Sequence, residues 1–463
     1  MKNSKTYSKQ HTMINLGLVI ILFFSSLACE QLLEVEVPSN QIGKDEVFKD
    51  VQTANAALAG LYAGLRDKSF IAGNVAGPLL GIYTDDLISY ALTDTDGTFA
   101  LYNNQQIDTN TSVFTLWSNS YQHIYAANAI IEGVTNSSFS AADKNRIKGE
   151  ALLVRSMQLF YLQQLFGDIP YPLSTDYTIN QSLPKVNANE VLLKLETDLF
   201  ECTNLLADDY KNSERIYPNR KVAQLMLAKT YMLEQKWAQA EELLKKIVVS
   251  PLYIFQNDIT KVFTKSSAHI LWQLKPQNST DPTREALLYY FSGIAPSSYA
   301  LSPSLISSFA PNDLRKQNWT VMVNFNGNSW YRAEKYKNRT NNSTEYSVVF
   351  RLEEVYLLLA ETLAQQNKST EALSYINPTR QRAGLNVLQP PIAQNDLLNH
   401  ILLESRKEFF AEMGHRFLDL KRAGKLSELS VVKPNWNSFH SLWPLPQKEL
   451  LLNPNLNPQN NGY

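Results

Sequence analysis

The chain has 463 residues, 44% of them hydrophobic, 11% aromatic and 19% charged, with a formal net charge of -1. That composition can bury a large core, arranged as two or three lobes or as one helical array with insertions. Near-neutral charge, with no block of five or six like charges, excludes an electrostatic footprint for nucleic acid, so partners are recognised by shape and local chemistry.

The first element is a signal peptide, residues 1–28: Lys2, Lys5 and Lys9 precede an apolar stretch from Ile14 to Leu27. This run is shorter than the roughly 18 to 20 residues of a permanent membrane helix, so cleavage removes it. Leu27-Ala28-Cys29 resembles a bacterial lipobox, with the cut between Ala28 and Cys29. Cys29 is then the expected lipidation site, and acyl chains worth ~0.8 kcal/mol per buried methylene anchor the chain to a membrane without spanning it. Residues 29–44 form the lipidated N-terminus and tether. The other cysteine, Cys202, falls inside an apparent helix from Val191 to Leu206 and is expected to be a buried, inert thiol.

Past the tether, Asp45-Glu46 opens an amphipathic pattern through Val47, Phe48, Val51, Ala54, Ala57, Leu58 and Leu61. Further helices are expected over Phe114–Val134 and Ala141–Phe166, the latter stopped by Gly167-Asp168-Ile169-Pro170. From Val222 to Pro251, the small and large apolar residues Ala228, Tyr231, Trp237, Ala240, Leu244 and Ile247 resemble a tetratricopeptide hairpin. Leu352 to Arg382 gives a weaker echo, and a generic helical hairpin remains the alternative for each. The helical scaffold is thus expected over about 45–66, 112–260 and 345–425. Two stretches, about 67–111 and 275–344, are rich in Asn, Ser, Thr, Gly, Pro and aromatics and are expected to be irregular binding insertions. The fold class expected is mostly α, a tetratricopeptide-like helical hairpin scaffold packed against an irregular, loop-rich lobe.

The C-terminal third carries a more specific pattern. Arg351-Leu352-Glu353-Glu354-Val355-Tyr356 through Ala360-Glu361, then Ile376-Asn377 with Arg380-Gln381-Arg382-Ala383-Gly384-Leu385, appear in order. Gly414-His415-Arg416-Phe417-Leu418-Asp419-Leu420-Lys421-Arg422, Trp443-Pro444-Leu445-Pro446 and the terminal Asn460-Asn461-Gly462-Tyr463 follow. Together with the lipobox and Phe166-Gly167-Asp168-Ile169-Pro170, these resemble the SusD/RagB family of surface lipoproteins. The sequence departs from the family pattern at Pro378, Met413 and Asn461. The resemblance implies a SusD-like domain over 45–463 in a lipid-anchored outer-membrane protein facing the cell exterior. It further implies a chain that binds glycans and delivers them to a SusC-like TonB-dependent transporter. Capture of peptides or proteins, as in RagB-like members, and a purely structural adaptor role are the alternatives. Arg351, Glu361, Arg406, Glu408, Arg416 and Asp419 are read as helix-locking ion pairs rather than ligand contacts.

No zinc-protease, nucleophile-elbow or phosphate-loop motif is present, so no enzyme activity, catalytic residue, metal or cofactor is expected. Asp85-Asp86 and Asp94-Thr95-Asp96-Gly97 lack the fuller spacing of a calcium loop and are read as solvated acidic turns. Sugar recognition needs flat apolar rings beside amides. The ligand-binding candidates are therefore Tyr90, Phe99, Tyr102, Asn103 and Asn104 in the first insertion. In the second they are Tyr289, Tyr290, Tyr299, Trp319, Trp330 and Tyr331. Replacing Cys29 with Ala should release the protein from the membrane fraction into the soluble one; retention equal to wild type would refute the anchor.

Overall fold

The computed structural model describes residues 44–91 and 93–463; the signal peptide and Cys29 lie outside them. Helix α1 (Lys44–Val47) ends a first unit, residues 1–47, and a second unit, residues 48–463, holds all the other described elements. The second unit opens with α2 (Val51–Lys68), α3 (Ala76–Tyr83), β1 (Leu87–Ser89) and α4 (Thr98–Tyr102). Next come α5 (Thr111–Asn136), α6 (Ala141–Phe166), α7 (Tyr177–Asn180), α8 (Ala188–Leu205), α9 (Arg220–Leu233) and α10 (Trp237–Val248). A mixed segment holds β2 (Ile270–Leu274), α11 (Arg284–Leu288), β3 (Tyr299–Leu301), α12 (Pro303–Ser308) and α13 (Leu314–Trp319). It continues with β4 (Thr320–Phe325), β5 (Asn328–Ala333) and β6 (Ser347–Arg351). The C-terminal helices are α14 (Leu352–Gln365), α15 (Ser369–Arg382), α16 (Gln394–Phe409), α17 (His415–Arg422) and α18 (Gln447–Leu452).

The architecture is mostly helical. Helix α6 has the bounds that its sequence predicts, because both ends are chemically marked. Ser140 Oγ accepts the Asp143 N–H at 3.2 Å, and Gly167 leaves the helix at φ +75°, where a side chain would be strained. From Gly149 onward α6 is buried on every side, so it is the central helix of the bundle. Its charged groups are paired: Arg155 donates to Asp198 at 2.6 Å and Asn128 at 2.9 Å, and Glu150 accepts from Tyr62 at 2.6 Å. The first long helix differs from expectation. Val51 starts it, because the Asp50 carboxylate accepts the Gln52 and Thr53 N–H groups at 2.7 and 2.9 Å.

The helices form a continuous row: α2 packs on α5, α5 on α6, α6 on α8, α8 on α9, α9 on α10 and α10 on α14. Helix α14 then packs on α15 and α16, α16 on α17, and α17 on α3. The hairpins α9–α10 and α14–α15 occupy the two segments with alternating small and large apolar residues. Ala228 and Ala240 are fully buried, as close helix approach requires. Cys202 is buried in α8, and burial raises its thiol well above the ordinary range.

The two stretches expected to be irregular contain an ordered sheet. Its strand order is β1-β3-β5-β4, antiparallel throughout, so β1 of the first insertion joins three strands of the second. Side chains alternate across a sheet. Leu87, Leu301 and Ala333 join the main core, whereas Ala300 and Val323 pack with Phe291, Tyr90, Val321 and Trp330 in a separate outer cluster. A second sheet pairs β2 with β6, whose residues are all buried, and β6 runs directly into α14.

At that junction lies a buried ionic cluster. Arg351 donates to Glu408 at 2.5 Å and Glu412 at 3.0 Å. Arg382 donates to both Glu353 and Glu408, and Arg315 meets Asp313, Glu404 and Glu408 at 2.9, 2.6 and 3.3 Å. His269 Nδ1 lies 2.7 Å from Glu353, and Lys335 donates to Glu412 at 2.5 Å. Burial disfavours the ionised carboxylates, yet His269 and Arg382 hold Glu353 at about 2, and Arg382 and Arg351 hold Glu408 well below the carboxylate range. Removing one partner from such a cluster strands a buried charge. Arg382→Met should therefore destabilise the fold by about 3–5 kcal/mol, read from the urea midpoint; a change under about 1 kcal/mol would show that the cluster contributes no more than a surface pair.

Candidate ligand-binding face

The sheet brings the two aromatic-rich insertions together. Ile88 lies opposite Ala300 and Ser89 opposite Tyr299, while β5 lies between β3 and β4 with Trp330 opposite Val323. Tyr90, just past β1, shares the outer cluster with Trp330 and Phe291. Burial raises the Tyr90 phenol, opposed by a hydrogen bond from the Trp330 indole, and the Tyr102 phenol is close enough to influence it. Two residues beyond Trp330 on the same face, Arg332 donates to the Phe291 carbonyl at 2.6 Å and to Glu334 at 2.7 Å. Its guanidinium lies 4.7 Å from the ring centre of Tyr290, and that of Arg339, held by Glu334 at 2.6 Å, lies 3.9 Å from the same ring. Tyr290 is 46% exposed, so a guanidinium-supported ring faces solvent at this end of the sheet.

At the other end, beside β1, a cleft of about 370 Å³ is lined by Ile88, Tyr102, Asn103, Asn104, Ser304 and Asn435, among others. Asn104 adopts φ +51° and donates its amide to the Tyr83 carbonyl at 3.1 Å; its Oδ1 is buried and accepts no hydrogen bond. Asn103 donates to the Phe99 carbonyl at 2.9 Å, and Asn435 reaches across to the Asn103 carbonyl at 2.9 Å. Lys433 lies 4.0 Å from the Tyr102 ring centre and donates to the carbonyls of Ile82 and Tyr102 at 2.6 and 2.7 Å. Burial pushes its ammonium down to about 8.

The cleft floor corrects one expectation. Asp85 and Asp86 are not a solvated turn but are buried, at 9% and 3% exposure, beneath two arginines. Arg406 meets Asp86 at 2.8 Å and Asp85 at 2.9 Å, and Arg416 grips Asp85 through two bonds of 2.8 and 3.1 Å. Burial works against ionised Asp85, but Arg416 and Arg406 overcome it and hold the carboxyl low; in Asp86 burial prevails and raises it. Asp94 and Asp96 are local caps, accepting the N–H groups of Phe99 and Thr98 at 3.0 Å each. The remaining residues read as helix locks also form pairs: Glu361 and Asp419 both bind Arg422, at 2.7 and 2.8 Å.

Of the eleven ligand-binding candidates, Tyr90, Tyr102, Asn103, Asn104, Tyr290 and Trp330 fall on the outer face or its cleft. Phe99 is 42% exposed on α4. Tyr299 lies on the inner side of the sheet, its phenol pushed up to about 12 by burial, with Asp96 adding to it. Tyr331 opposes Leu301 and Met322 and packs on the main core. Tyr289 and Trp319 are core residues, 4% and 1% exposed; Trp319 donates its indole N–H to the Ile259 carbonyl at 3.1 Å. Arg332, Arg339, Lys433 and Asn435 were not foreseen, since nothing local marks a cation or amide whose partner lies elsewhere in the chain. Among the described residues, no group of three or more His, Cys, Asp or Glu is placed to hold a metal, and no helix is long and apolar enough to cross a membrane.

Comparison with known proteins agrees with this architecture. Residues 304–463 match the model of the SusD family, and residues 35–232 match one described as starch-binding associating with outer membrane. The SusD-like protein P25 of Formosa agariphila is 26% identical over 97% of this chain and 99% of its own length. A SusD superfamily protein from Bacteroides vulgatus superposes with a TM-score of 0.79 at 21% identity, covering 90% of this chain and 99% of that one. Surface glycan-binding protein A from Bacteroides thetaiotaomicron, in complex with laminarihexaose, superposes with a TM-score of 0.73 at 20% identity, covering 89% and 99%. With two SusD-type models matching its N-terminal and C-terminal parts and a relative aligned along almost its whole length, the chain belongs to the SusD/RagB family.

Proposed function

We propose that this protein is a lipid-anchored lipoprotein of the outer membrane that binds glycans at the cell surface and delivers them to a SusC-like TonB-dependent transporter. The observation that carries the reading is the outer sheet face. It carries Tyr90 and Trp330, with the exposed ring of Tyr290 at one end and a cleft lined by Asn103, Asn104 and Asn435 at the other. Rings offer flat apolar faces to the C–H side of pyranoses, and amides pair with hydroxyls at their edges. Support from relatives is of the same kind: a structural neighbour holds laminarihexaose and another is a laminarin-binding SusD-like protein. Lipid anchoring rests on Leu27-Ala28-Cys29, and the transporter partnership on family membership.

Binding proceeds without cleavage. A glycosidase needs two carboxyl groups free to act across a glycosidic bond. The carboxylates under the cleft, Asp85 and Asp86, are instead tied to Arg406 and Arg416. The test is calorimetric titration of residues 30–463 with laminarin and starch oligosaccharides, with a protein digest as comparator. Saturable glycan binding without shorter products is expected, and the Tyr290→Ala, Trp330→Ala double variant should bind at least about tenfold more weakly. Binding of the digest alone, or a double variant that binds as wild type, would contradict the assignment.

A further inference from the structure

A separate groove of about 470 Å³ lies between α5, the segment after α6, α7 and α18. It shares no lining residue with the cleft beside β1. Along one stripe of α5 it presents Trp117, Tyr121 and Tyr125, spaced i, i+4 and i+8. Such residues stack one above another at about 6 Å intervals along a helix. Trp117, 2% exposed, forms the back of the groove, and its ring centre lies 4.8 Å from that of Tyr121. Tyr121 is fixed by donating its hydroxyl to the Pro170 carbonyl at 2.9 Å, whereas Tyr125 is 55% exposed and has an open ring face.

The opposite lip supplies amides. Asn180 donates to the Ser174 carbonyl at 2.7 Å, and its Oδ1 is buried with no donor. Gln181 beside it is exposed, and Asn453 is held by the Leu183 carbonyl at 2.8 Å. No Lys or Arg lines the groove, so it offers nothing to an anionic ligand. Its one carboxyl, Glu449, is pushed up by burial, opposed by a hydrogen bond from Trp117. An acyl chain would desolvate the exposed Gln181 amide without pairing it. A ligand with apolar faces and hydroxylated edges satisfies both sides.

We propose that this groove is a second carbohydrate site, in which a neutral glycan segment stacks on Tyr121 and Tyr125 and pairs its hydroxyls with the amide of Gln181. The proposal rests on the reading of the chain as a glycan binder and goes beyond it. A polysaccharide engaging both sites on one chain gains avidity when its length spans them.

Native electrophoresis of the mature chain through gels containing laminarin, starch or xylan tests it. Tyr125 and Gln181 are exposed, hence Tyr125→Ala and Gln181→Ala should keep the wild-type melting temperature. In at least one gel that retards the wild type, both variants should show apparent affinity lower by about three- to tenfold, as should Trp330→Ala. If Tyr125→Ala and Gln181→Ala migrate as wild type while Trp330→Ala is released, the groove is not a glycan site and the sheet-face assignment stands. A wild-type chain that no gel retards overturns both assignments.

Discussion

The structure depends on the requirement that buried charge be paired. Removing an ion from water costs several kcal/mol even after relaxation, and this fold buries Glu353, Glu404, Glu408 and Asp313 almost completely. Each is tolerated only because a cationic side chain reaches it: Glu353, Glu404 and Glu408 are met from other elements, and Asp313 by Arg315 of the helix it caps. The partners come from α13, the end of β6, the end of α15, α16 and the segment after β5. A displacement of any one of these elements would strand a charge, so the cluster fixes their mutual positions more tightly than nondirectional apolar contact does.

That constraint reaches the ligand face from both ends. Lys335, two residues past β5, is clamped between Glu412 and the Glu408 carbonyl, which holds the strand carrying Trp330 and Arg332. Arg406 on α16 and Arg416 on α17 grip Asp85 and Asp86, immediately before β1. The C-terminal helices thus seat two segments that are distant in sequence, and the sheet closes between them. The exposed rings and amides then stand on an ordered support, which lowers the entropy lost when a ligand binds.

How much of this is legible in the sequence differs by element. Helix α6 can be delimited because its cap and its terminating glycine are local, and the ion pairs of Arg351, Glu408, Arg416 and Asp419 agree with the reading of these charges as structural rather than ligand-binding. The sheet cannot be foreseen: β1 and β3 are three residues each, and their pairing joins Leu87 to Leu301 with no periodic pattern to announce it. The same distance misleads at Asp85-Asp86, which looks solvated until Arg406 and Arg416 are placed over it. Aromatic content in a stretch without periodicity marks Tyr290 and Trp319 alike, yet one meets solvent and the other fills the core. Conversely, Trp117, Tyr121 and Tyr125 at helical spacing suggest packing, and only the fold shows that Tyr125 borders a groove.

In the proposed function, a glycan lies on the outer face of the sheet seated by the buried ion pairs. Hydrogen–deuterium exchange of the mature chain, with and without saturating laminarin, tests it most directly. Slowed exchange is expected in the segments around β1 and α4 and from Tyr290 through β5, with the ion-paired helices α14 to α16 unchanged. Protection confined to those helices, or none under conditions where laminarin binds, would contradict it.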